Sequence, residues 1–172
     1  NGGELSLAKV SETGNLIWQQ TYSKPSYQKA YDLLATVDGG IALLGTTQNL
    51  ATSSLNISIL KSDLDGNEIW FNDFAPDDTI PSLITPVMGG FAQDNNGNFY
   101  VPFSTFGSNS HVIIAKVNSS GIVEWKKENP APGYCWQIIH TSDNYLALAG
   151  DNNINAFLIK SSPEGEYLTN KI

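Results

Sequence analysis

The side chains able to do chemistry are few and scattered along the chain. His140, Ser142 and Asp143 are the residue types of an acyl-transfer triad. Neighbours along a strand point to opposite faces, however, so adjacency in sequence does not assemble one. Cys135 is the only cysteine, which excludes an internal disulfide and a cysteine-based zinc cage. A nucleophilic thiol also needs a base and an electropositive setting, and the sequence offers neither. His111 and His140 stand alone, without the HExxH spacing of a zinc enzyme. Asp63-Leu64-Asp65-Gly66-Asn67-Glu68 looks like a calcium loop, but its glycine comes fourth rather than at the position an EF-hand requires. It is expected to be a hairpin turn, as are Asp94-Asn95-Asn96 and Asp151-Asn152-Asn153. GxSxG, P-loop and GxGxxG patterns are all missing. No metal, no cofactor and no catalytic residue is expected. What the chain does offer is aromatic side chains interleaved with Asp and Asn, a combination that stacks on sugar faces and hydrogen-bonds their hydroxyls.

Composition narrows the partners. The 172 residues carry nine lysines, no arginine and seventeen acidic residues, for a formal charge of −8. That balance disfavours nucleic acid and anionic membranes, and without arginine there is no bidentate clamp for phosphate. No apolar run reaches the ~18 residues of a membrane-spanning helix.

The elements that must position these residues come from a repeat. Lysine, glycine and tryptophan recur as Lys9, Gly14, Trp18; Lys61, Gly66, Trp70; and Lys116, Gly121, Trp125. A fourth copy has Lys160 and Gly165, with Thr169 in place of the tryptophan. A second recurring element reads DGGIALLGTT from Asp38, NGNFYVPFST from Asn96 and SDNYLALAGD from Ser142. Each period holds four strand-like stretches, A to D, divided by turn residues. In the second unit these are A near Ala30–Val37, B near Gly40–Thr47, C near Leu55–Ser62 and D near Glu68–Asp73. No helical period is sustained.

An all-β fold of four-stranded antiparallel units at this spacing points to a β-propeller. The chain divides into a half-blade at 1–21 and blades at 22–73, 74–128 and 129–172. Three and a half blades are fewer than the four or more a closed ring needs, so the chain is expected to be part of a larger propeller. The A–B and C–D turns are short and share one face of the disc. The other face carries the longer D–A connections (roughly 21–29, 74–88 and 128–133) and B–C connections (roughly 48–54, 106–110 and 151–155). Binding residues concentrate on long loops held by a rigid scaffold. The candidates there are Tyr27, Asp77 and Asp78 in a proline-rich loop, Tyr134, Trp136 and Asn152. Trp136 opens an inner strand, where core or channel lining is the simpler role. Trp18, Trp70 and Trp125 are expected to cover neighbouring blades, and the repeated lysines to lie along the sheet with their ammonium groups in water.

The segment Ala8-Lys9-Val10-Ser11-Glu12-Thr13-Gly14-Asn15-Leu16-Ile17-Trp18 resembles the tryptophan-docking motif of PQQ-like bacterial propellers. Ala115, Ser120, Gly121 and Trp125 repeat it closely, and Leu60, Asp65, Gly66 and Trp70 more loosely. With the downstream DGG strand, the chain resembles propeller repeats of Bacteroidetes-type secreted proteins and lipoproteins. That resemblance implies an extracellular, periplasmic or outer-membrane location, with a lipid anchor upstream of the chain. The expected function is non-catalytic recognition of a protein or glycan through the long-loop face. The alternative is a polysaccharide hydrolase or lyase acting at the central channel.

Overall fold

A computed structural model describes residues 3–48, 54–76, 84–85, 90–105, 111–152 and 154–171. All regular elements among the described residues are strands. The first sheet pairs β1 (Leu5–Val10) with β2 (Leu16–Tyr22). The second runs in order through β3 (Tyr27–Ala35), β4 (Ile41–Gln48), β5 (Leu55–Ser62) and β6 (Glu68–Phe74). In the third, two short inner pieces, β7 (Ile84–Thr85) and β8 (Ala92–Gln93), both pair with β9 (Phe99–Thr105). β10 (His111–Val117) and β11 (Val123–Pro132) complete that sheet. The fourth is β12 (Tyr134–His140), β13 (Leu146–Asp151), β14 (Ala156–Ser161) and β15 (Tyr167–Lys171). Every pairing is antiparallel, which gives the blade pattern expected of a partial β-propeller.

Alternation along each strand sends one row of side chains to the preceding sheet and the other to the following one. On β5, Leu60 joins Leu5, Leu7, Tyr22 and Leu43 in a core between the first two sheets. Its neighbour Ile59 faces the other way and packs with Ala42, Leu44 and Ile57 against Phe91, Phe99 and Phe103 of the third sheet. Tyr100, Val112 and Ile114 form the last such core with Ile138, Leu146, Leu148 and Ile159. The fold is thus a stack of blades with one apolar layer at each junction.

The repeated spacing has a geometric basis. Lys9, Lys61 and Lys116 sit directly opposite Trp18, Trp70 and Trp125 across their hairpins, and Lys160 opposite Thr169. The glycine between them closes the turn in the left-handed region, with φ between +80° and +85° at Gly14, Gly66, Gly121 and Gly165. Each tryptophan then lies on the equivalent glycine of the next sheet. A Cβ on Gly66 would stand 2.8 Å from the Trp18 ring, one on Gly121 2.9 Å from Trp70, and one on Gly165 2.8 Å from Trp125. The Trp70 indole N–H donates to the Ser119 carbonyl at 3.1 Å, and its ring meets Phe99 edge-on at 5.9 Å. The Tyr22 hydroxyl donates to the Gly66 carbonyl at 2.7 Å and the Asn72 amide to that of Gly121. Glycine at these turns therefore meets two demands at once, a positive φ and room for an indole.

Two expectations need correction. Residues 128–133 do not form a long connection: β11 continues to Pro132 and only Gly133 separates it from β12. Pro130 and Pro132 read as loop residues, yet β11 is an edge strand whose register with β10 shifts between Asn129 and Pro132, and edges and bulges are the places in a sheet that accept proline. Lys61 does not keep its ammonium in water. It is only 5% exposed and is paired with Asp38 of the β3–β4 turn, whose carboxyl the Lys61 ammonium and the Thr36 hydroxyl hold down to about 2. Lys160 with Asp143 repeats this pair at 2.7 Å in the fourth sheet, while Lys116 turns to Glu124 at 2.9 Å.

Trp70→Ala should lower unfolding free energy by about 2–4 kcal/mol, since it removes a ring packed on both Gly121 and Phe99. Equilibrium urea denaturation measures this, and a loss under about 0.5 kcal/mol would contradict the docking role. Asp38 titrates below its unfolded value of about 3.9, so its contribution is complete above that pH and disappears as pH falls through about 2. The stability gap between the parent and Asp38→Asn should therefore be constant above about pH 4 and close towards pH 2. A gap unchanged across that range would show that the pair does not act this way.

Candidate functional site

The inner strands β3 and β12 carry the same irregularity. Tyr31 and Trp136 are each the extra residue of a β-bulge, between Ala30 and Asp32 and between Cys135 and Gln137. A bulge re-aims its side chain out of the regular alternation. Both stand four residues before the end of their strand, at Ala35 and His140. The expected contrast in loop length between the two faces does not hold among the described residues, where the connections at 23–26, 133 and 152–155 are no longer than the five-residue turns of the opposite face.

Around Trp136 the arrangement is built. Its indole N–H donates to the Asp151 carboxylate at the end of β13, and the residue is 46% exposed. The Tyr134 ring lies beside it, with centroids 6.3 Å apart and planes tilted by 39°. The backbone beneath leaves no slack, because a Cβ on Gly150 would collide with the Tyr134 carbonyl. An indole fixed at its nitrogen and open at its face is a pre-set stacking surface rimmed by carboxylate. In the second sheet, Lys29 and Tyr31 occupy the matching places, with the Lys29 ammonium 5.0 Å from the centre of the Tyr31 ring.

Immediately past the bulges, Asp32 and Gln137 both reach to the third sheet, which lies between theirs. Asp32 accepts from the Phe91 N–H at 3.3 Å and Gln137 from the Gly90 N–H at 3.2 Å. Gly90 holds the equivalent place on the third sheet. A Cβ there would stand 2.5 Å from the Gln137 amide nitrogen and 2.9 Å from the Asp32 carboxylate. Two polar side chains from flanking blades thus seat the main chain of the blade between them. Sequence reading missed Lys29, Tyr31, Asp32, Gly90 and Gln137. Alignment of the three inner strands with allowance for one bulged residue is the signal that finds them.

The other sequence candidates are placed less convergently. Tyr27 starts β3 in the second sheet, 47% exposed and beside Gly3, away from the Tyr134–Trp136 pair on β12. The Asn152 side chain accepts from the N–H groups of Ile154 and Asn155 at 3.1 and 2.8 Å and so shapes its own turn. Asp77 and Asp78 lie outside the described residues. Among the described residues, no group of three or more His, Cys, Asp or Glu side chains is arranged to hold a metal ion.

The remaining chemical side chains have structural partners. Asp63 accepts from the N–H groups of Asp65 and Asn67 at 2.9 and 2.8 Å, so the calcium-like segment is a self-capped turn. His140 stacks on Tyr100 and meets the Asn144 side chain at 3.0 Å, while Asp143 turns to Lys160 and Thr141. Cys135 is fully buried, and burial pushes its thiol up to about 12, which keeps it protonated and unreactive at neutral pH. No helix among the described residues is long and apolar enough to cross a membrane.

A protein of unknown function from Bacteroides caccae is similar in structure over 99% of this chain and 58% of its own, with a TM-score of 0.57 at 16% identity. A luciferin-regenerating enzyme is similar over 98% of this chain and 56% of its own, with a TM-score of 0.58 at 16% identity. This chain therefore spans a little over half the length of either structure. At such identity the likeness speaks for the fold, an all-β arrangement of repeated blades, and not for an activity. No family model and no curated protein matches the chain.

Gly90→Ala should destabilise the protein by about 1–3 kcal/mol through the clash with Gln137 and Asp32. Gln137→Ala in the same chain should return part of that loss. A double-mutant cycle measures the coupling, and strict additivity would show that these groups do not meet.

Proposed function

We propose that this chain is a non-catalytic binding propeller that recognises its ligand, a protein or a glycan, through the long-loop face. The observation that carries this reading is the Trp136 platform: an exposed indole fixed by Asp151, flanked by Tyr134 and set on a rigid inner strand. Such a platform favours a glycan. The ring faces take the apolar side of a sugar, and the rim carboxylate takes its hydroxyls. A fixed aromatic also loses little conformational freedom on binding.

The compartment we propose is the bacterial cell envelope, at an extracellular, periplasmic or outer-membrane surface, with a lipid anchor upstream. The Lys–Gly–Trp repeat supports this reading through its similarity to PQQ-like docking motifs and to Bacteroidetes-type secreted repeats.

Glycan-array screening followed by calorimetric titration tests the proposal. Trp136→Ala should weaken the bound glycan by about 2 kcal/mol, some thirtyfold in Kd, with the far-ultraviolet spectrum unchanged. Affinity unaltered by Trp136→Ala would remove the platform from the site. Shortened chains released from a polysaccharide during incubation would replace recognition by the alternative, a hydrolase or lyase at the central channel.

A further inference from the structure

We infer that Lys29 and Tyr31 form a second subsite for the ligand of the Trp136 platform, and that this subsite takes the carboxylate of an acidic sugar, a uronate. The inference rests on the glycan reading of that platform and adds to it the class of sugar. Equivalence between sheets carries the first half. Tyr31 and Trp136 are the extra residues of matching bulges, and Lys29 and Tyr134 stand two positions before them. The third sheet lies between the two strands. Asp32 and Gln137, one residue past the bulges, close on its Gly90 together, since a Cβ there would stand 2.9 Å from the one and 2.5 Å from the other. Facing sheets pack about 10 Å apart, so two junctions separate the rings by no more than about 20 Å. One oligosaccharide spans that distance.

Charge carries the second half. Lys24, Lys61, Lys116, Lys127 and Lys160 each hold a carboxylate. Lys29, the one lysine on the described inner strands, holds none among the described residues, although acidic residues outnumber lysines seventeen to nine. It stands opposite Thr46, on the same face as Leu44, which packs towards the third sheet. Its contact is the Tyr31 ring, 5.0 Å from the ammonium. The ring holds the ammonium by cation–π attraction and leaves N–H donors open to an acceptor. A uronate carboxylate is such an acceptor, and the tyrosine ring takes the apolar side of the same sugar. With no arginine in the chain, there is no fork for a phosphate or sulfate group. The nearby Asp32 carboxylate is turned to the Phe91 N–H. At the other subsite Asp151 repels a carboxylate and accepts hydroxyls. The ligand therefore lies one way round, with a uronate at Tyr31 and a neutral sugar at Trp136.

A glycan array of neutral, sulfated and uronate-containing oligosaccharides tests this, the last including alternating glucuronate–N-acetylglucosamine and galacturonate–rhamnose chains. The strongest binder should carry a uronate. In calorimetric titration it should bind about tenfold or more tighter than its own carboxyl-reduced form. Lys29→Gln, at an exposed position, should remove most of that preference and leave the affinity of the reduced form unchanged. Lys9→Gln, which takes the same charge from the outer hairpin of the first sheet, should leave the preference intact. Trp136→Ala should weaken both forms equally. A neutral or sulfated strongest binder, equal affinity for the acidic and reduced forms, or a preference that survives Lys29→Gln would overturn the inference. Neutral binding that still depends on Trp136 would leave the glycan reading standing without it, whereas an array on which no glycan binds would overturn both.

Discussion

The stack of sheets depends on one contact made three times, an indole laid on the glycine that turns the next hairpin. A propeller blade is thin and cannot bury both of its faces alone. Its neighbours supply the missing surface, but apolar layers are non-directional and do not fix the register of one blade against the next. The tryptophan does. Its ring fits only where the turn has no Cβ, and the Trp70 indole N–H finds the Ser119 carbonyl two residues before that glycine. Lysine across the hairpin completes the unit, sitting opposite the tryptophan, with one residue of bulge after it. A spacing visible in the sequence is thus the trace of a docking geometry.

Much of the fold was legible for that reason. Lysine, glycine and tryptophan mark the outer hairpins in every unit, and turn residues divide the strands, so β5 agrees with its expected bounds and β6 differs only by Phe74. The inner strands carry no such marker. Tyr31 and Trp136 each insert one residue, which shifts the alternation and hides the equivalence of Asp32, Gly90 and Gln137. Prolines misled at residues 128–133, because a sequence does not state that the strand lies at an edge. The burial of Lys61 was equally unreadable, since its partner Asp38 comes from a different hairpin turn.

The candidate site shows the same division between local and tertiary information. Tyr134 and Trp136 stand two apart on one strand, and they meet in space. Asn152 was chosen for its polarity, but a short loop uses that polarity for its own main chain. Tyr27 shared only residue type with the other aromatics, and it stands on another sheet. Trp136 differs from the three docking tryptophans in standing on an inner strand, as the extra residue of its bulge, with its nitrogen held by Asp151. An uncovered, held side chain of this kind comes from a small departure from the repeat, and the repeat itself says little about such departures.

The most direct measurement is amide exchange at the four turn glycines in the parent and in Trp70→Ala. All four N–H groups make the same turn hydrogen bond, to the carbonyls of Ser11, Asp63, Asn118 and Ser162 at 2.9 to 3.2 Å, and only Gly14 has no indole on it. If the indole fixes the junction, Gly66, Gly121 and Gly165 exchange more slowly than Gly14, and Trp70→Ala drops Gly121 alone towards the Gly14 rate. Equal rates at all four glycines, or a Gly121 rate indifferent to Trp70, would contradict the account.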